Sequence, residues 1–440
     1  MKFTHPFLQK LLNYENLKAL IYENQEYSYK DLLLKTEEKI TQIQNATQER
    51  ILGIVGDFNA DCIAFLLACV ELKKIVVPFS DENEIENKLK EAGISVYFKE
   101  NDFIFKEYSP SSHKLLKDLK EAGLILFSSG STGKPKAILH NLNTLLESYL
   151  SKKAKNMNIL LFLMFDHIGG LNTLFNCLSI GACGVAIKDR KNVDSLAFSI
   201  EKYKISLLPA SPSLLNLMLC SKVHERYKLS SLKLITYGTE KMPDSLLKRL
   251  KAEFKGVRFH QTFGTSEVGI AQTKTYENFI KLENIDYKII DNELYLKSKT
   301  QSLGYLNASN EAFRADGYFA TGDLVELVKI NGEEYLKIIG RNKELINVGG
   351  EKVMPEEVEN VLLEFDFIAD CLVFAKANAL TGQSVAAKIV LKEGFCFDSL
   401  ELKKKIKALC KDKLAPYKIP SKIEIVERLQ MSNRFKKVRK

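Results

Sequence analysis

Over the first 240 residues, short apolar β-type runs alternate with amphipathic helical stretches. ILGIV (51–55) is followed by the helical NADCIAFLLACVEL, and KIVVP precedes the helical ENEIENKLKEAG and the strand-like ISVYF. The pattern recurs at LILF (124–127), NILLFLMF (158–165), GVAI (184–187), ISLL (205–208) and LKLITY (232–237). Neighbouring strands that run in the same direction need a crossover, and a helix supplies one while covering the sheet face. The alternation therefore predicts an α/β chain with helix-covered, mostly parallel sheets. In such sheets ligands bind beyond the carboxyl ends of the strands.

The texture changes from about residue 285. IDYKIIDNELYLKS and YFATGDLVELVKINGEEYLKIIG are strand-rich, with Asn331-Gly332 as a hairpin turn, and read as a small β subdomain. GRNKELINVGGEKVMPEEVENVLLEF then opens a final unit, with Pro355 suited to the first turn of a helix. A boundary near 341–343 gives a large domain, 1–341, and a small α+β domain, 342–440.

Composition narrows the partners. The 440 residues are 45% hydrophobic and 27% charged, ordinary values for a folded chain. The formal net charge of +9, mostly lysine spread along the chain, suits polyanionic small molecules or an acidic partner protein. Nucleic acid is not expected, because no helix-turn-helix, zinc-finger or RNA-binding aromatic signature is present. The eight cysteines include no C-x-x-C pair and sit mostly in apolar runs, which reads as reduced core thiols of a cytoplasmic protein. The polar-broken N-terminus is no signal peptide, and no apolar run approaches the ~18 residues of a membrane span.

LILFSSGSTGKPKAILH (124–140) carries the strongest chemical signal. A buried-type strand runs into Ser128, Ser129, Gly130, Ser131, Thr132 and Gly133, followed by Lys134 and Lys136. Glycines allow close backbone approach, and hydroxyls and free N–H groups converge on an anion. The loop is not a Walker A motif, because Pro135 follows Lys134 where that motif has Ser or Thr. TFGTSEVG (262–269) sets Glu267 just after a strand, where a carboxylate can hold Mg²⁺ together with substrate phosphates. GYFATGDLVEL (317–327) is read as presenting Asp323 in a tight turn, suited to sugar hydroxyls. Arg341 stands at the domain boundary, and the chain ends in the basic MSNRFKKVRK.

In order and spacing these segments resemble the acyl-adenylate-forming enzymes, the superfamily of acyl-CoA synthetases, peptide-synthetase adenylation domains and firefly luciferase. The resemblance runs from ILGIVGDFNADCIAFLLACVELKKIVVP to the last residues. It implies ATP-dependent, AMP-forming activation of a carboxylic acid to an acyl-adenylate with release of pyrophosphate. Transfer to the thiol of coenzyme A, or to the phosphopantetheine of an acyl carrier protein, would follow. The implied roles are residue by residue. Ser128 to Lys136 form the phosphate loop, and Glu267, after Ser266, is the Mg²⁺ ligand. Phe263, Gly264, Gly238 and Thr239 flank adenine. Asp323 and Arg341 bind ribose, and Lys343 is the hinge about which the small domain rotates between half-reactions. His167 gates an acyl pocket that includes Asp166, Gly169, Gly170 and Ser211.

The chain departs from the family pattern in three places. Ala137 stands where glycine is common, Asn347 where many relatives have lysine, and Phe435 where the tail pattern has glycine. The last departure leaves Lys436 as the catalytic lysine, with Lys437 as a competitor one residue on. An uncharged acyl group is favoured. Amino-acid activation, through Asp166, and a degenerate relative that binds nucleotide or acyl groups without turnover are the alternatives.

Overall fold

The computed structural model describes residues 2–82, 85–109, 111–128, 134–432 and 437–439. Among these residues, two seven-stranded sheets form the body of the large domain. One has the parallel strands Ile51–Val55, Ile75–Phe79, Val96–Lys99 and Gly123–Ser128 at its centre. Antiparallel strands flank them, with Lys136–Asn141 and Gly304–Tyr305 on one side and Asp102–Phe105 on the other. In the second, Asn158–Leu161, Cys183–Ala186, Leu207–Ala210, Leu234–Tyr237 and Arg258–Gln261 run parallel.

Helix Ala60–Glu71 shows how the sequence locks these sheets together. The Asn59 side chain caps it by accepting the Cys62 N–H at 2.8 Å. Ten of its twelve residues are buried, and a helix apolar nearly all round cannot sit on a surface. Its core neighbours come from both sheets, Leu52, Ile54, Val76 and Leu124 from one and Leu20, Leu161 and Ala186 from the other. Phe65 stacks on Phe98 with ring centroids 4.5 Å apart. The outer faces of the sheets carry separate cores under helices such as Val193–Lys202 and Ile85–Ala92.

A third sheet is antiparallel throughout and corresponds to the strand-rich texture. Asn331 and Gly332, with φ of 50° and 81°, turn the chain between Phe319–Ile330 and Glu333–Arg341. Asp323 differs from its expected tight turn, because it lies inside the long strand Phe319–Ile330, opposite Arg341. Gly322, at φ 72°, and a register shift just after it bend the strand without ending its pairing. NILLFLMF also departs from expectation. Its strand stops at Leu161, and the chain turns into helix Ile168–Ser179.

The C-terminal region builds its own five-stranded sheet, with helices Pro355–Leu362 and Ser399–Cys410 packed on it. Val358, Leu362, Cys371, Ile389, Leu402 and Ile406 belong to a core of its own. All eight cysteines are free, six of them buried. No helix among the described residues is long and apolar enough to cross a membrane.

The tail is fastened by charge. Met431 and Lys437 pair across an antiparallel bridge. Lys437 Nζ donates to Asp370 Oδ1 at 2.6 Å and to the Cys371 carbonyl at 2.9 Å. Burial works against its charge, but Asp370 and Glu359 together hold its pKa above the usual lysine value. Arg439 donates to Glu359 Oε1, to the Val373 carbonyl and to Glu356 Oε1 at 2.5, 2.7 and 3.0 Å. The neighbouring Lys436 lies outside the described residues.

Burial pushes the Glu356 carboxyl up to about 7 from 4.5; Arg439 opposes the rise, and Glu359 and Glu344 add to it. The folded protein therefore keeps this proton in a range where the unfolded chain has lost it. Burying Glu356 adds no cost below the unfolded pKa, and the cost grows as pH rises through the folded one. Glu356→Gln, neutral throughout, should raise the melting temperature by a few degrees at about pH 8 and change it little at about pH 5. Thermal unfolding at the two pH values checks this, and equal shifts at both would contradict it.

Candidate active site

The carboxyl ends of the parallel strands open into a cleft of about 700 Å³. Ser128 ends the strand Gly123–Ser128 and stands opposite Lys136, the first residue of the returning strand. Both line the cleft. Asn307 pins this return, accepting the Ala137 N–H at 2.8 Å and donating to the Pro135 carbonyl at 3.0 Å. Ser129, Gly130, Ser131, Thr132 and Gly133 lie outside the described residues.

Glu267 follows the short strand Phe263–Thr265 in a tight turn. The Thr265 hydroxyl accepts the Val268 N–H at 3.1 Å, and the Glu267 carbonyl accepts the Ser302 N–H at 2.7 Å. The backbone is thus held from both sides, and the carboxylate faces the cleft beside Ser266. Gly264 must be glycine, because a Cβ there would collide with the Gly269 carbonyl. Gly238 is similarly confined, since its Cβ would lie 2.6 Å from Thr262 Oγ1. Both glycines and Thr239 line the cleft, while the Phe263 ring packs on the core of the antiparallel sheet.

A residue the sequence reading missed connects the two charged groups. Tyr305 donates its hydroxyl proton to Glu267 Oε1 at 2.9 Å, and Lys136 Nζ stands 4.5 Å from the centre of its ring. Burial, then the Glu267 charge, raises the Tyr305 pKa, so the phenol stays protonated as a donor. Its signal was only the Gly304-Tyr305 pair in an otherwise bland SLGYLN.

Asp323 is buried, and its Oδ1 accepts Arg341 Nε at 3.0 Å. Arg341 lines the cleft, and Lys343 does so from the short 3₁₀ turn Asn342–Glu344 that follows. At the other end, His167 caps helix Ile168–Ser179 by accepting the Gly169 N–H on Nδ1 at 3.1 Å. His167 and Gly169 line the cleft with Leu163, Ile168, Ala210 and Ile270. Three residues named for this pocket sit elsewhere. Gly170 packs against the Met164 carbonyl where a Cβ would collide, and Ser211 is a buried cap accepting the Leu214 N–H at 3.1 Å. Asp166 does not line the cleft, and its Oδ1 is buried without a hydrogen-bond partner.

Among the described residues no three His, Cys, Asp or Glu side chains gather as a metal cage. Glu267 alone suits a hard cation that takes most of its oxygens from a bound polyphosphate and water, as Mg²⁺ does.

Family models describe the same regions. One for an AMP-binding enzyme matches residues 118–306, and one for the C-terminal domain of such enzymes matches 357–436. Acyl-CoA synthetase 7 of Caenorhabditis elegans is 30% identical over 350 residues, 71% of this chain and 63% of that protein. Indoleacetate–CoA ligase of Aromatoleum aromaticum is 29% identical over 70% of this chain and 64% of that protein. The chain thus spans a little under two thirds of the length of these two relatives. A 2-succinylbenzoate–CoA ligase of Listeria monocytogenes is 28% identical over 83% of this chain and 77% of its own length. The fold matches an anthranilate CoA ligase bound to anthranoyl-AMP, with a TM-score of 0.82 at 18% identity over 99% and 96% of the two chains. It also matches the Bacillus subtilis o-succinylbenzoate CoA synthetase bound to its acyl-adenylate, with a TM-score of 0.78 at 22% identity over 100% and 98%.

Tyr305→Phe keeps the ring beneath Lys136 and deletes only the hydroxyl. Titration calorimetry should show ATP affinity in the presence of Mg²⁺ reduced about tenfold, the scale of one hydrogen bond to a charged group. Unchanged affinity would leave Tyr305 a packing residue.

Proposed function

The chain belongs to the acyl-adenylate-forming superfamily, and on that premise we propose that it is an AMP-forming acid–thiol ligase. One observation carries the reading. A single cleft at the strand ends gathers the phosphate-loop lysine Lys136, the carboxylate Glu267 and the boundary residue Arg341. In the first half-reaction a carboxylate oxygen of the substrate attacks the α-phosphorus of ATP. The bond to pyrophosphate breaks, and acyl-AMP forms. Negative charge spreads over the phosphoryl oxygens, so positioned cations and donors do most of the work. Lys136, Ser128 and the loop from Ser129 to Gly133 hold the polyphosphate. Phe263, Gly264, Gly238 and Thr239 bracket adenine, and Asp323 with Arg341 takes the ribose. Mg²⁺, held by Glu267 with phosphate oxygens, would supply further charge stabilisation.

In the second half-reaction a thiol attacks the acyl carbonyl and AMP leaves with its electron pair. Coenzyme A is the favoured acceptor, since CoA ligases are among the relatives, and a carrier-protein phosphopantetheine is the alternative. The small domain, taken as 342–440, turns about Lys343 between the steps. Lys436 is assigned as the lysine of the first step. Lys437 is occupied by Asp370 and the Cys371 carbonyl, which suits an anchor more than a catalyst.

The acyl end is lined by Leu163, Ile168, Ala210 and Ile270 beside His167 and Gly169. This supports an uncharged, largely apolar acyl group. The position of Asp166 outside the lining gives amino-acid activation no support.

A panel of fatty, aryl and amino acids in ATP–pyrophosphate exchange tests the reading. At least one uncharged acid should support exchange. Glu267→Gln should lower that exchange by about 10²–10³, the loss typical of a transition-state donor. Near-normal exchange in Glu267→Gln would sink the assignment of that carboxylate. Lys436→Ala should impair exchange while sparing thioester formation from supplied acyl-AMP, whereas Lys437→Ala should lower the melting temperature by leaving Asp370 unpaired.

A further inference from the structure

Glu240 follows Gly238 and Thr239, the two cleft-lining residues that come after the strand Leu234–Tyr237. Thr239 has a φ of 71°. A β-branched residue in the left-handed region is strained, and such strain persists where its surroundings over-determine it.

The Glu240 carboxylate is shared between the two domains. Its Oε2 accepts the Ser213 hydroxyl at 2.6 Å and the Ser213 N–H at 3.3 Å. Ser213 is buried in the first turn of helix Pro212–Cys220, so this oxygen is fixed to the large domain. Its Oε1 accepts the backbone N–H of Lys437 at 2.9 Å. The Lys437 side chain is itself bound to Asp370 and Cys371 in the small domain. A second contact lies close by. Asn216, on the same helix as Ser213, donates to the carbonyl of Ala369 at 3.4 Å, immediately before Asp370. An ionised acceptor makes the Glu240 bond stronger than a neutral one. Because the donor is a backbone group, it does not depend on the side chain at position 437.

We propose that Glu240 is a positioning residue that latches the C-terminal tail onto the large domain for adenylate formation. The proposal rests on the function given above, in which Lys436, the residue before Lys437 in the chain, serves the first half-reaction. When the small domain turns for the thiol step, the Lys437 N–H leaves Glu240, and the carboxylate keeps Ser213. The latch therefore favours one half-reaction and contributes nothing to the other.

Glu240→Ala and Ser213→Ala in the full-length protein test this with two readouts. Hydrogen exchange at the Lys437 amide reads the latch without any turnover. It should be protected in the wild type and lose protection about ten- to a hundredfold in Glu240→Ala, the strength of one charge-assisted bond. The amides of strand Ile368–Asn378 should keep theirs. ATP–pyrophosphate exchange should fall by a similar factor, while thioester formation from supplied acyl-AMP stays within about twofold. Ser213→Ala should shift both readouts the same way, by less. An unchanged Lys437 amide, or an equal fall in both half-reactions, would overturn the latch. If Glu240→Ala loses protection throughout and so fails to fold, Ser213→Ala decides, and no change at Lys437 there would overturn it. A wild type with a protected amide and no exchange with any acid would instead refute the functional reading and leave the contact standing.

Discussion

A carboxylate and an ammonium in one half-buried cleft attract each other strongly. At about 4 Å and an effective dielectric near 20, the attraction is on the order of 4 kcal/mol before desolvation. Under the proposed function, closure of Lys136 onto Glu267 would fill the space assigned to a polyphosphate. Tyr305 engages both groups, offering its ring face to the lysine and its hydroxyl to the carboxylate. The position of Tyr305 depends in turn on the fold. It pairs with Ile138 across a two-residue strand, and Asn310 accepts its N–H at 2.7 Å. The arrangement of Lys136, Tyr305 and Glu267 is thus built from one edge of a mostly parallel sheet and one turn of an antiparallel one.

The junction between the domains is built differently. Among the described residues its hydrogen bonds include Glu240 with the tail and Asn216 with Ala369. Apolar burial at the junction would tie the domains together permanently, whereas hydrogen bonds can be exchanged for water at modest net cost. The tail's strongest contacts lie on the small-domain side, through Asp370, Glu356 and Glu359. On the large-domain side, among the described residues, the backbone N–H of Lys437 reaches Glu240. That asymmetry suits an arm that travels with the small domain.

Much of the architecture was legible because it depends on periodicity. The strand–helix alternation specified the parallel sheets, and Asn331-Gly332 specified a hairpin, since each rests on a local rule. The position of Asp323 was misjudged because a glycine at positive φ can bend a long strand as well as end it. Glu267, Lys136 and Arg341 were nameable from motifs, and the cleft brings them together. The contacts of Tyr305 and Glu240 were not: Tyr305 meets Glu267 38 residues away, and Glu240, although it ends the motif stretch YGTE (237–240), meets the tail 197 residues away. Gly170 and Ser211 illustrate the converse: small residues in a motif-like setting whose work is packing and capping.

The central claim is that a substrate carboxylate attacks the α-phosphorus of ATP before any thiol takes part. Oxygen-isotope transfer tests it most directly. With a carboxylic acid labelled with heavy oxygen in both carboxylate positions, the account predicts one labelled oxygen in each AMP released after thioester formation, and none in pyrophosphate. Label in pyrophosphate or inorganic phosphate, or unlabelled AMP alongside thioester product, would contradict it.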